Sequence, residues 1–138
     1  MDAIKDSLMG LGNFALYFAC ALVLLLIFKF VYVRLTPHDE WKLVKEEQNV
    51  AAAIGYVGAI IGFCLALASA ASNSVSLIDF AIWGVVALIA QALAFLLVRF
   101  LFIPSIVERI NNDEVSAGVV LAGMSIAVGL LNAACITY

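Results

Sequence analysis

Four polar side chains stand where hydrocarbon would be expected. Gln91 interrupts a long apolar run near its middle, Asn132 lies near the end of another, and Asn73 and Asp79 fall in or beside the hydroxyl-rich stretch SAASNSVSLID, residues 69–79. An amide in oil costs a few kcal/mol unless it is paired or wetted. Gln91 therefore either bonds a neighbouring helix, holding a bundle together, or lines a path for water, an ion or a small solute. Ser69, Ser72, Asn73, Asp79 and Asn132 would then form a shallow vestibule leading to it. Asp79 also has a purely structural reading, as an acid complementing the positive end of the helix that follows.

A second group of reactive side chains sits in TPHDEWKLVKEEQN, residues 36–49. His38, Asp39 and Glu40 have metal-ligating chemistry, but three adjacent residues on a helix point in different directions and no second ligand cluster accompanies them. No metal is expected. Thr36, Pro37 and Asp39 form a helix-start signal of hydroxyl cap, proline and first-turn acid, and Asn49 is expected to cap the second span. Trp41 and Val44, three apart, would lay that short helix on the membrane surface, with His38, Glu40, Trp41 and the nearby Arg99 as cytoplasmic candidates. The cysteines Cys20, Cys64 and Cys135 all lie in apolar runs, match no metal spacing and are expected to behave as small apolar groups.

The elements that must position these groups follow from composition. Of the 138 residues, 66% are hydrophobic and 12% charged, against roughly 45–50% and 25% in soluble domains. About 20 apolar residues cross a bilayer, and the chain has four such runs, near 13–33, 50–71, 80–102 and 115–136. The fold expected is an all-α membrane protein of four transmembrane helices. The first run is too long for a signal core, and its leading MDAIKD is more acidic than basic, so it is expected to be retained. A net charge of −3 offers no clustered basic surface for nucleic acid. Phosphate-binding, zinc-protease, serine-hydrolase and dinucleotide motifs are all missing from the sequence, so neither an enzyme nor a cofactor is expected.

Lys29, Arg34, Lys42, Lys45, Arg99 and Arg109 flank the first and third connections, whereas the other face has only Lys5. Cytoplasmic flanks collect Lys and Arg, which predicts both termini on the periplasmic side. Lys29, inside the end of the first span, is expected to snorkel towards the cytoplasm.

A shift of 65 residues superimposes the second half of the sequence on the first. Phe30, Val33, Arg34, Val50, Ala52, Gly58, Ile61, Leu65 and Ala68 meet Phe95, Val98, Arg99, Val115, Ala117, Gly123, Ile126, Leu130 and Ala133. This order predicts two parallel hairpin repeats, residues 1–72 and 73–138, the first with its cytoplasmic loop at 34–49. Gly58, Gly62, Ala66 and Ala70 form one small-residue ridge; Gly118 with Ala122, and Ser125 with Gly129 and Ala133, form others. Helices in lipid associate by close packing at such ridges, so Gly58, Gly62, Gly118 and Gly129 are the packing candidates. Spans two and four are expected inside, spans one and three against lipid.

The chain resembles the bacterial inner-membrane family known as domain of unknown function 350. The resemblance covers nearly the whole chain. It is carried by Thr36-Pro37-His38-Asp39-Glu40-Trp41, Asn49 with Ala51-Ala52-Ala53, Gly58, Gly62 and Ser69-Ala70-Ala71, then by Asp79, Trp83-Gly84, Gln91, Arg99, Pro104, Ala117-Gly118, Gly129 and Asn132-Ala133-Ala134-Cys135. It implies a helix pair occurring twice, an inner-membrane location, and a genomic setting shared in some members with membrane-stress proteins and polyamine-ligase-like enzymes. It implies no activity. Where the family tends to have proline in the second span this chain has Ala66, so a kink there does not carry over. Two functions are expected from residues and resemblance together. One is a homo-oligomeric channel- or transporter-like subunit with a path through Gln91 and Asn132. The other is a structural or signalling partner in the bilayer that recruits a peripheral membrane-stress protein.

Overall fold

The computed structural model describes residues 2–35 and 47–136. Residues 36–46, with the Thr36 cap, the surface helix and the candidates His38, Glu40 and Trp41, lie outside the described residues. Helix α1 spans Asp2–Leu35, α2 Val50–Asn73, α3 Leu77–Leu97, α4 Ile106–Asn111 and α5 Val115–Cys135. Four of these, with α3 extended to Phe102, are long and apolar enough to cross a membrane. The protein is all-α, with α1, α2, α3 and α5 as its spans.

Helix α1 begins at Asp2, not near residue 13. The apolar run marks where lipid begins, whereas the helix needs only residues that tolerate helical geometry. Ala3, Lys5, Leu8 and Met9 favour it, and Gly10 and Gly12 each cost about 1 kcal/mol without breaking it. At the other end of α3 the chain widens into a π-turn over Val98–Phe102, closed by the Ile103 amide donating to the Val98 carbonyl at 2.7 Å. Pro104 follows. Its ring disfavours α geometry at Ile103 (φ −134°, ψ 90°), so the helix unwinds there.

Strict alternation of the spans makes α2 and α5 run in the same direction, both starting at the end of the molecule that carries Lys29, Arg34, Arg99 and Arg109, the basic end. They meet along a seam with almost no side chain between them. A methyl group at Gly58 would collide with Ala122, one at Gly118 with Ala51, and one at Gly129 with the Gly62 carbonyl. Backbones can approach this closely only where Cβ atoms are missing, which is the source of packing energy available in lipid.

The division into inner and outer spans is different from that expected. In its most apolar stretch α2 is 56% buried, α3 33%, α5 28% and α1 11%. Only α2 is central. Helix α5 spends its small-residue face on α2 and leaves Val119, Leu130 and Leu131 exposed, while α3 sinks Phe80, Ala87, Gln91 and Phe95. A seam of small residues needs one narrow face, so it brings a helix close without enclosing it. Helix α1 docks by Leu24, Phe28 and Tyr32, one turn apart. Leu24 fills the notch at Gly84, Phe28 stacks on Phe63 at 4.7 Å, and Tyr32 meets Tyr56 and Phe95 edge-on. Large apolar side chains elsewhere, such as Leu26, Ile82 and Leu93, stay exposed. Water would not tolerate so continuous an apolar surface; lipid is its solvent.

Candidate functional site

Gln91 lies on α3 fourteen residues from its start, about 21 Å along the axis, close to mid-membrane. Its side chain is 1% exposed and its Nε2 donates to the Ser125 carbonyl of α5 at 3.0 Å. The space for it exists because Gly62 lacks a side chain: a Cβ there would stand 2.8 Å from Gln91 Nε2. Three helices thus converge on one amide. Only its donor end is used: among the described residues Oε1 is buried without a partner, as are Ser125 Oγ and Asn132 Nδ2. Ser125 was legible only as a ridge member; that its carbonyl receives Gln91 depends on where α5 lies.

Asn132 is two turns from Ser125 on the same side of α5, roughly 10 Å further from the basic end. Among the described residues no hydrogen bond joins it to Gln91. Ser69 Oγ donates to the Ala133 carbonyl at 2.7 Å, tying α2 to α5, and Asn73 Nδ2 donates to the Ser69 carbonyl at 2.8 Å. Ser69, Asn73 and the end of α5 therefore share one cluster. Asp79 serves the start of α3. Ser76, not Asp79, caps α3 by accepting from the Asp79 amide at 3.1 Å, and the Asp79 carboxylate reaches back to the Val75 amide at 3.1 Å. The carboxylate reaches one residue further back than in a capping box, whose acid accepts from the cap's own amide.

Arg99 sits at the opposite end in the π-turn, its guanidinium carbon 5.5 Å from the Phe100 ring centre, and is not part of the Gln91 cluster. No three of the described His, Cys, Asp and Glu side chains gather as a metal site. The packing candidates Gly58, Gly62, Gly118 and Gly129 all lie on the α2–α5 seam.

The basic end holds a clamp that sequence reasoning saw only in part. Asn49, 5% exposed, caps α2 by accepting from the Ala52 amide at 2.7 Å, and its Nδ2 donates to the Ile110 carbonyl of α4 at 2.7 Å. Asp113 answers from the other side, accepting from the Ala51 amide at 2.9 Å. Asp113 (φ 56°) and Gln48 (φ 51°) are the non-glycine residues of positive φ among those described. They are 65 apart, each one residue before a helix cap, Glu114 or Asn49. Asn49→Ala should lose about 1 kcal/mol of capping and roughly 1 kcal/mol more with the bond to the Ile110 carbonyl, which keeps the Asp113 amide as a donor at 3.0 Å, seen as a lowered thermal midpoint in detergent. Asn49→Asp keeps the cap but turns an acceptor towards that carbonyl, so rescue by Asp would refute the cross-link. Asp113→Asn, which keeps both the acceptor and the tolerance of positive φ, should be near neutral. The exposed Arg109–Glu114 pair at 3.6 Å adds at most ~1 kcal/mol.

Residues 6–136 match the family model described as Domain of Unknown Function (DUF350). The chain is 40% identical over 135 residues to a protein named UPF0719 inner membrane protein YjfL in Escherichia coli strain K12, covering 98% of each chain. The protein of that name in Escherichia coli O157:H7 matches equally. No solved structure matches. With four apolar spans and a family match over nearly its whole length, the chain belongs to the DUF350 family of integral inner-membrane proteins.

Proposed function

We propose that this protein is a non-enzymatic, homo-oligomeric channel- or transporter-like subunit that handles an ion or small solute along Gln91, Ser125 and Asn132. One observation carries the reading: three buried polar atoms, Gln91 Oε1, Ser125 Oγ and Asn132 Nδ2, have no partner among the described residues. Each costs about 1–3 kcal/mol while it stays dry and unpaired, a cost that water or a solute would relieve. At the Asn132 end, Ser69 and Asn73 cluster with the neighbouring Ala133 carbonyl. The glycine seam closes α2 against α5, so a path wide enough for a solute needs several copies of the chain.

The test is wetting. In a variant lacking Cys20, Cys64 and Cys135, a cysteine at Asn132 and at Ser69 should react with a membrane-impermeant thiol reagent, and one at Val119, exposed to lipid, should not. Equal protection at all three would sink the reading. Wild-type proteoliposomes should in addition show flux that empty vesicles lack.

The orientation we propose places both termini in the periplasm, on the strength of six basic flanking residues against Lys5. A tag after Tyr138 should be cleaved by protease added to intact spheroplasts; protection would reverse the assignment.

A second reading is favoured by the clamp. Asn49 and Asp113 fix α4 against the start of α2, a rigid platform for a peripheral protein at the end of the molecule that carries Arg34, Arg99 and Arg109. Charge reversal at Lys42 and Lys45 should then release a co-purifying partner, and unchanged co-purification would count against it.

A further inference from the structure

We propose that the hollow between α1 and α2, in the half of the molecule away from the basic end, seats one acyl chain of a phospholipid. This inference is independent of the Gln91 track. The hollow has a volume of about 390 Å³, with Phe14 and Leu22 on the α1 side and Cys64, Ala68 and Ala71 on the α2 side. Its lining is almost wholly carbon. Tyr17 stacks on Phe80 of α3 at 5.5 Å and forms its floor.

The hollow follows from how α1 docks. The buried contacts Leu24, Phe28 and Tyr32 all lie towards the basic end, while residues 2–16 are exposed throughout. Opposite the unpacked half, α2 presents Ala68 and Ala71, too small to bridge the gap. A space of this kind within hydrocarbon is filled by whatever surrounds it.

Size selects the occupant. The α1 wall runs from Phe14 to Leu25, about 16 Å of helix, or half of the roughly 30 Å hydrocarbon layer. A volume of 390 Å³ over that length is a mean cross-section of roughly 24 Å², and adding about 1.4 Å on each side for the radius of a water-sized sphere gives a groove about 8–9 Å wide, where a helix with side chains needs about 10–12 Å. Carbon atoms in contact stand about 3.5–4.0 Å apart, so one polymethylene chain fits and a helix of a second copy does not. The length matches a single leaflet. The hollow reaches the end of the molecule where residues 72–76 are hydroxyl-rich and polar, which leaves a headgroup at the interface.

The experiment uses the full chain in phosphatidylethanolamine vesicles containing a minor fraction of phosphatidylcholine with a diazirine in mid-chain. Photolabel should concentrate on residues 14–25 and 64–71, and native mass spectrometry should find one phospholipid retained per chain. Ala68→Phe and Ala71→Phe, whose wild-type side chains are exposed, should each reduce both signals by roughly threefold, because groove and bulk lipid differ only in packing. Val119→Phe, equal bulk on an open face, should change neither. Labelling spread evenly over all lipid-facing segments would overturn the proposal. So would retention indifferent to both filling variants, or a Cys64–Cys64 cross-link between two chains showing that protein occupies the hollow.

Discussion

Gly129→Leu should strip the protein from the membrane fraction, while Gly123→Leu, six residues away on the same helix, should leave its abundance unchanged. A Cβ at Gly129 meets the carbonyl oxygen and both backbone carbons of Gly62, none of which can rotate aside; one at Gly123 meets nothing within 4 Å. Overpacking a core usually costs about 1–3 kcal/mol because side chains yield. Here backbone faces backbone, so separation of α2 from α5 is the only relief, and it breaks the Ser69–Ala133 hydrogen bond as well. The loss should exceed about 3 kcal/mol. Gly62→Leu, which strikes the Ser125 backbone and Gln91, should behave like Gly129→Leu. The measurement is membrane abundance together with the thermal midpoint in detergent. Equal behaviour of the Gly129 and Gly123 variants would mean that the seam is elsewhere.

Gln91→Leu should separate stability from function. The substitution removes one interhelical hydrogen bond, worth about 0.6 kcal/mol and at most ~1.7 kcal/mol between helices in lipid. It also removes the unpaired Oε1, whose burial costs about 1–3 kcal/mol. These oppose each other, so the thermal midpoint should hold or rise slightly. Flux in proteoliposomes should fall at least roughly tenfold, since a polar path loses its mid-membrane group and about 1.4 kcal/mol of barrier is a factor of ten. A variant that conducts normally but melts early would make Gln91 a bolt between helices and refute the transport reading.

Much of the site was legible before its geometry. Gln91 was singled out by one amide in a run of hydrocarbon, and its burial follows from the same incompatibility with lipid. Its partner was not legible. A serine on a small-residue ridge announces packing, and only the placement of α5 turns the Ser125 carbonyl towards α3. Asn49 was readable as a cap because capping is local, three residues to Ala52. Its bond to Ile110, 61 residues away, was not. The π-turn at Val98–Phe102 was not legible, because a turn with i to i+5 bonds differs from an α-helix by one residue and leaves the apolar run unbroken.

The number of spans and their approximate extents were decided in the sequence itself, because crossing a bilayer depends on the summed transfer of about 20 consecutive residues, a local sum. The choice of inward faces was not. In lipid, apolar faces do not sort themselves from apolar surroundings, so hydrophobicity is silent about which side of a helix turns inward. Shape decides instead, between segments distant in sequence. Gly58 and Gly123 occupy matching places 65 residues apart, yet one touches Ala122 and the other faces open space, a difference made only when the helices came together.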